Sequence, residues 1–200
     1  MTEALPARLI VMALHLEGQG VFEKRGIPVL YCGVGKVNAT YALTRRLADY
    51  AQAGHALPHV INFGTAGSRR HAAGTLVECH AFVQRDMDVS GLGVPLGTTP
   101  FDAAVPARLD FPPVFPQLPQ AVCGTGDSFA TTECAIECDV LDMEGYALAK
   151  VCWLERCRFT AVKCVTDGAD TQAGTDWQSN LHYAADRFLQ LYQHLEEKEP

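Results

Sequence analysis

Apolar positions along the chain fall into short runs of strand length that alternate with longer stretches of helical period. The runs at 9–14 (Leu-Ile-Val-Met-Ala-Leu), 29–32 (Val-Leu-Tyr-Cys), 59–63 (His-Val-Ile-Asn-Phe), 75–83 (Thr-Leu-Val-Glu-Cys-His-Ala-Phe-Val), 121–123 (Ala-Val-Cys) and 159–165 (Phe-Thr-Ala-Val-Lys-Cys-Val) are bounded by Gly, Pro or polar residues, and they predict strands. Between them, three stretches carry the period of an amphipathic helix. Residues 37–52 place Val37, Tyr41, Ala42, Leu43, Leu47 and Ala48 against Arg45, Arg46 and Asp49. Residues 142–155 align Met143, Ala147, Leu148, Val151 and Leu154, and residues 176–195 repeat Leu181, Ala184, Ala185, Phe188, Leu189 and Tyr192. Strand–helix alternation of this kind predicts an α/β domain with a central mixed, mostly parallel sheet flanked by helices, spanning 1–200 as one unit. Residues 101–119 interrupt the rhythm with Pro106, Pro112, Pro113, Pro116 and Pro119, which rules out a long helix and predicts an extended surface loop.

Composition narrows the partners. A length of 200 residues suffices for one substantial core, and a formal net charge of -7 disfavours nucleic acid and anionic membrane surfaces. No apolar run reaches the length of a membrane span. Residues 1–8 lack a basic segment followed by a long apolar stretch, so no secretory signal and a cytoplasmic location are expected. Cys32, Cys79, Cys123, Cys152 and Cys164 lie inside apolar runs and read as reduced, buried thiols. The pairs Cys134/Cys138 and Cys152/Cys157 do not repeat the Cys-x-x-Cys spacing of a zinc site, and no metal is expected.

Candidate chemistry sits where apolar runs end. The run at 29–32 passes into Gly33-Val-Gly-Lys-Val-Asn38, that at 59–63 into Gly64-Thr-Ala-Gly-Ser68, and that at 121–123 into Gly124-Thr-Gly-Asp-Ser-Phe129. Ligands of parallel α/β sheets bind beyond the carboxyl ends of the strands. Gly33-x-Gly35 lacks the third glycine of a dinucleotide fingerprint, since Asn38 stands there, and the spacing is not that of a P-loop. Two carboxylates frame the last helix–strand unit: Glu144 at the start of a helix and Asp167 just past the end of a strand. As residue types alone, Asp167 is equally a turn or cap residue, Asp142 an N-cap, Glu144 a first-turn acid, Phe129 a core aromatic and Glu17 a surface glutamate.

The ordered set Gly33-Val-Gly-Lys-Val-Asn-Ala39, Asn62-Phe-Gly-Thr-Ala-Gly67, Asp86-Met-Asp-Val89, Gly126-Asp-Ser-Phe129, Met143-Glu144 and Thr166-Asp-Gly-Ala-Asp170 resembles the 5′-methylthioadenosine/S-adenosylhomocysteine nucleosidases of the purine nucleoside phosphorylase superfamily. The resemblance covers most of the chain. It implies hydrolysis of the N-glycosidic bond of an adenosine-type nucleoside, with no metal or organic cofactor, by a homodimer. It also implies roles. Asp167 matches the acid that protonates purine N7, and Glu17 the glutamate that orients the attacking water. Glu144 matches the carboxylate that binds the ribose hydroxyls, with Met143 beneath the sugar. Phe129 matches the aromatic that stacks on the base, the Ala130 backbone would meet the base edge, and Thr65 and Gly67 match the turn near the sugar and water. Trp177 matches an aromatic near the 5′ substituent.

These residue types suit the reaction. Cleavage builds positive charge on the sugar and negative charge on the base, so an acid at the base and carboxylates near the sugar both stabilise the transition state. The chain also departs from the family pattern. Only residues 18–32 separate Glu17 from the Gly-x-Gly turn, where the family has two additional strands, and the proline-rich 101–119 replaces a partly helical region. The family's Glu-Met-Glu becomes Asp142-Met143-Glu144, its Ser-Asp becomes Thr166-Asp167, and Leu92 and Val94 stand where aromatics more often line the 5′ pocket. Two other readings stay open. A phosphorylase would need cations at a phosphate site, for which Arg69 and Arg70 are the candidates, although the phosphorylases' arginine is missing from Ile61-Asn62-Phe63. A non-catalytic nucleoside-binding or storage protein of the same fold is the other.

Overall fold

The computed structural model describes residues 5–129, 134–170, 177 and 184–198. Eight strands and four helices are assigned among the described residues. In chain order they are β1 (Arg8–Met12), α1 (His15–Gly18), β2 (Val29–Tyr31), α2 (Lys36–Gln52), β3 (His59–Gly67), β4 (Leu76–Gln84), β5 (Arg108–Asp110), β6 (Gln120–Thr125), β7 (Val140–Asp142), α3 (Gly145–Glu155), β8 (Phe159–Asp167) and α4 (Ala185–Lys198).

β2, β1, β3 and β8 run parallel to one another, and β4, β6 and β7 form a second parallel set. β4 joins the two sets by lying antiparallel to β8. The sheet also closes at a corner, because Gly67, the last residue of β3, pairs antiparallel with Leu141 of β7. The expected mixed, mostly parallel sheet is therefore present, but it is curled rather than open. Curling brings the carboxyl ends of β3, β7 and β8 to one place although β7 opposes the other two.

Alternation along the buried strands feeds a core on each side of the sheet. Leu9 and Val11 of β1, Val60 of β3 and Phe159 and Ala161 of β8 pack with Leu43 and Leu47 of α2 and Leu148 and Cys152 of α3. Ile10, Met12, Ile61, Phe63 and Val162 face the other way, toward Phe188, Leu189 and Tyr192 of α4. There the Phe63 and Phe188 rings stack with centroids 5.0 Å apart.

Several elements differ from their sequence patterns. The helix expected over 142–155 begins at Gly145, because residues 140–142 are drawn into the sheet as β7 beside β6. The stripe expected on α2 is partly right: Leu43 and Leu47 are buried as expected, joined by Ala39 and Tyr50, while Val37 and Tyr41 are exposed. On α3 nearly every position from Gly145 to Cys152 is buried, since the helix lies between the sheet and α2, and Leu154 is exposed instead. Within the proline-rich segment, Arg108–Asp110 adds to β4 as an edge strand. The same segment is tethered by the buried Glu78 carboxylate, which accepts from Val114 N at 2.6 Å and Phe115 N at 2.9 Å and so seats Phe115 in the core. The start of the helix expected from 176 lies outside the described residues.

Candidate active site

The strand ends and turns enclose a cavity of about 250 Å³. That is near the lower edge of small-molecule pockets, which run to roughly 300–1,000 Å³. Glu17, Thr65, Gly67, Phe129, Met143, Glu144, Asp167 and Trp177 all line it, although they come from six separate stretches of sequence. Ala130 lies outside the described residues.

Glu17 sits on the single-turn helix α1 and is almost fully buried. Its Oε2 accepts from Ala13 N at 3.0 Å and Leu14 N at 3.1 Å, and its Oε1 accepts from Thr65 N at 2.9 Å and Thr65 Oγ1 at 3.0 Å. Four donors fix the carboxylate against the end of β3, which continues as strand through Gly67 where the sequence suggested a turn after Phe63. The Thr65 hydroxyl in turn accepts from Trp177 Nε1 at 3.0 Å, which ties the indole to the same point. Neither contact was evident from spacing, because 48 residues separate Glu17 from Thr65 and 112 separate Thr65 from Trp177.

Glu144 occupies the N-cap position of α3 without capping it. Its Oε1 instead accepts from Gly35 N at 2.8 Å, in the turn before α2. Burial, reinforced by the nearby Asp142 carboxylate, pushes the Glu144 carboxyl up to about 8 from an ordinary value of 4.5, against the opposing pull of Lys163 and the Gly35 N–H. The helix-capping work falls to Asp142. Its Oδ2 accepts from Gly145 N at 2.7 Å, and its Oδ1 accepts from Thr125 Oγ1 at 2.5 Å.

Asp167 ends β8 and is buried. It accepts from Thr166 Oγ1 at 3.0 Å and from Ala169 N at 3.0 Å. Gly67 faces it so closely that a Cβ there would lie 2.5 Å from Asp167 Oδ1, so glycine is required where the strand end meets the acid. Phe129 is half exposed at the mouth rather than in the core.

Two further groups escape a reading by motif. Lys163 lies in the middle of β8 and is fully buried, with Nζ 2.8 Å from Asp142 Oδ2. Burial alone would lower its affinity for a proton, but Asp142, Cys123 and Glu144 together hold it well above the ordinary lysine value. Burial would raise the Asp142 carboxyl, but Lys163, the Thr125 hydroxyl and the Gly145 N–H together hold it below the usual carboxylate range. A lysine within Val-Lys-Cys-Val was itself a signal, because a charge at the centre of a doubly buried strand requires a partner. Arg85, just past β4, also lines the cavity. Its guanidinium donates to Gly126 O at 3.3 Å, Ser128 Oγ at 3.2 Å and Ser128 O.

Arg69 and Arg70, the candidate cations for a phosphorylase's anion site, are engaged elsewhere. Arg69 donates to Ala169 O at 3.0 Å, and Arg70 pairs with Asp139 at 2.6 Å and Glu137 at 3.3 Å. Neither lines the cavity. Leu92 is exposed and, like Val94, does not line it.

The structure is an α/β fold with a closed mixed sheet and three carboxyl groups at one cavity, and comparison with known proteins gives its family. The sequence model of the Phosphorylase superfamily matches residues 19–195. The 5′-methylthioadenosine/S-adenosylhomocysteine nucleosidase of Geobacillus kaustophilus (strain HTA426) is 30% identical over 187 residues, covering 82% of this chain and 76% of its own. That of Marinomonas sp. (strain MWYL1) is 26% identical over 196 residues, covering 88% and 83%. Among solved structures, a variant of the Helicobacter pylori nucleosidase with 5′-methylthioadenosine in its active site superposes with a TM-score of 0.80 at 19% identity, over 94% of this chain and 98% of that one. Helicobacter pylori futalosine hydrolase superposes at 0.77 and 21% identity, over 89% and 91%. The chain belongs to the Phosphorylase superfamily and, within it, to the 5′-methylthioadenosine/S-adenosylhomocysteine nucleosidase family.

Proposed function

We propose that this protein hydrolyses the N-glycosidic bond of an adenosine-type nucleoside, with 5′-methylthioadenosine and S-adenosylhomocysteine as the leading substrates, releasing the free base and the ribose moiety. The observation that carries this reading is the convergence of Glu17, Glu144 and Asp167 on one cavity that also presents an aromatic face. In this arrangement the base lies against Phe129, and the sugar and the attacking water lie beside Thr65 and Gly67 at the end of β3. Asp167 delivers a proton to N7 as the bond breaks, which makes the purine a better leaving group. Glu144 accepts the ribose hydroxyls, with Met143 beneath the ring, and its negative charge favours the cationic sugar that develops. Glu17, fixed by its four donors, orients the attacking water on the side of Thr65. Trp177, held to Thr65, borders the 5′ end.

Water rather than phosphate is the nucleophile in this reading. Two carboxyl groups, Glu17 and Glu144, line the cavity, which disfavours a phosphate dianion there. Arg85, the cavity's cation among the described residues, is already committed to the loop carbonyls. No step requires a metal or an organic cofactor. The test is base release from 5′-methylthioadenosine, S-adenosylhomocysteine, adenosine and inosine in phosphate-free buffer. Turnover there supports hydrolysis, strict dependence on phosphate makes the protein a phosphorylase, and adenine binding without turnover makes it a nucleoside-binding protein.

We further read the protein as a cytoplasmic homodimer. The free state of all eight cysteines supports a reducing compartment. The apolar residues Val37, Tyr41 and Leu154, exposed on the α2/α3 face beside the site, support self-association. Light scattering at micromolar concentration tests the dimer.

A further inference from the structure

Three motifs meet beside the cavity: Gly33-Val-Gly-Lys36, Asp86-Met-Asp-Val89 and Gly126-Asp-Ser-Phe129. Lys36 Nζ lies 2.6 Å from Asp86 Oδ1 and 3.7 Å from Asp127 Oδ2. The other oxygen of Asp86 accepts from Asp127 N at 2.9 Å, and Asp127 Oδ1 accepts from Lys36 N at 2.7 Å. Together with the Arg85 bonds to Gly126 O and Ser128 O, the peptide units 126–127 and 128–129 before Phe129 are held by side chains that follow β4.

The decisive contacts are two consecutive N–H groups at the start of α2. Gly35 N donates to Glu144, on the sugar side, and Lys36 N donates to Asp127, on the base side. First-turn N–H groups have no partner within their helix, so both are available, and the helix dipole favours both carboxyl groups. The glycines make room for this crossing. Gly35 has φ +92°, and a Cβ on it would lie 3.0 Å from Asp127 Oδ1. A Cβ on Gly126 would lie 2.9 Å from Arg85 Cζ and 3.0 Å from Asp86 Cγ. Partly exposed ion pairs of this type contribute little to stability. Their position between two ligand-bearing segments is what distinguishes them.

We propose that Lys36, Asp86 and Asp127 form a positioning bridge, which couples the placement of Glu144 at the sugar to the placement of Phe129 at the base through the peptide turn Gly35–Lys36. This rests on the nucleoside reading of the cavity. Moving the turn shifts both ends at once, so a ligand that spans both ends depends on the bridge more steeply than a ligand that fills only one.

The experiment compares calorimetric binding of adenine with that of a carbon-linked adenosine analogue that cannot be cleaved. For Asp127→Ala, loss of about one charge-assisted hydrogen bond's worth of order at each end predicts roughly 10-fold weaker adenine binding and roughly 100-fold weaker analogue binding. Lys36→Met, which keeps the backbone N–H, gives the same pattern with smaller factors and serves if Asp127→Ala does not fold. A general loss of structure would scale both ligands alike and leave their ratio unchanged. Equal factors for the two ligands in either variant overturn the bridge. If the unsubstituted protein binds neither ligand, the nucleoside reading itself fails and the bridge with it.

Discussion

The acids that line the cavity and the aromatic at its mouth are held differently. Glu17, Glu144 and Asp167 are 4%, 8% and 5% exposed, and each is anchored by backbone N–H groups at strand ends or turns. Phe129 is 49% exposed, on a segment held by side chains at the surface. The acids that would move protons and hold charge are thus fixed by the sheet, where a carboxyl cannot be displaced without disturbing the core. The aromatic that would hold the base rides on contacts that substitution can alter without unfolding anything. Chemistry is tied to the fold, and recognition is adjustable. Each expectation below tests one side of that division.

The largest effect belongs to Asp167. Asp167→Asn keeps an acceptor for Ala169 N but removes the transferable proton, so kcat for base release should fall by about 100- to 10,000-fold. Adenine affinity should change little by comparison. Unchanged turnover, followed by the absorbance change on nucleoside cleavage, would remove Asp167 from the mechanism.

Next comes the buried pair behind the site. Lys163→Met leaves the Asp142 carboxylate without its ammonium partner at the sheet centre, and such a loss costs about 3–5 kcal/mol. Denaturant unfolding should show it as a lower midpoint at unchanged slope. Adding Asp142→Asn to Lys163→Met should restore much of the loss, because the unpaired charge is then gone. A cost below about 1 kcal/mol for the single variant would mean that water reaches this pair, contrary to its burial.

This pair marks the boundary of what the sequence disclosed. Strand–helix alternation, the identity of most strands and the candidate acids were legible because period and residue type are local properties. Closure of the sheet was not, since it depends on a single pairing between Gly67 and Leu141. β7 was hidden for the same reason: Val-Leu-Asp reads as the entry to a helix until β6 supplies a partner for it. The stripe on α2 was only partly right because Val37 and Tyr41 are apolar yet exposed, and hydrophobicity alone does not say which face meets the sheet. The resemblance supplied Glu17 as a residue, but its purchase on Thr65 belongs to the folded chain.

Glu144 gives a smaller and pH-dependent effect. Its carboxyl is raised from 4.5 to about 8, so between those values the folded protein binds a proton that the unfolded chain has released. Stability therefore falls as the pH rises from about 4.5 toward 8, and Glu144→Gln should flatten that slope. Substrate affinity runs the other way. Ribose hydroxyls donate to the ionised form, so binding favours release of the proton, and KM should drop roughly fivefold between pH 7 and pH 8 on that account. In Glu144→Gln the drop should vanish while KM rises overall. A KM that is flat over this range in the unsubstituted protein would show that the group is already ionised before substrate arrives.

The smallest effect is expected at the adjustable end. Phe129→Ala removes an aromatic face that the core does not use, so the unfolding midpoint should stay within about 0.5 kcal/mol of the parent, as at other exposed positions. Loss of stacking should weaken adenine by about 3- to 10-fold, with KM rising by a similar factor and kcat less affected. Phe129→Tyr, which keeps the ring, should restore most of the affinity. A large loss of stability on Phe129→Ala would place the ring in the core and erase the contrast between a fixed chemical end and an adjustable recognition end.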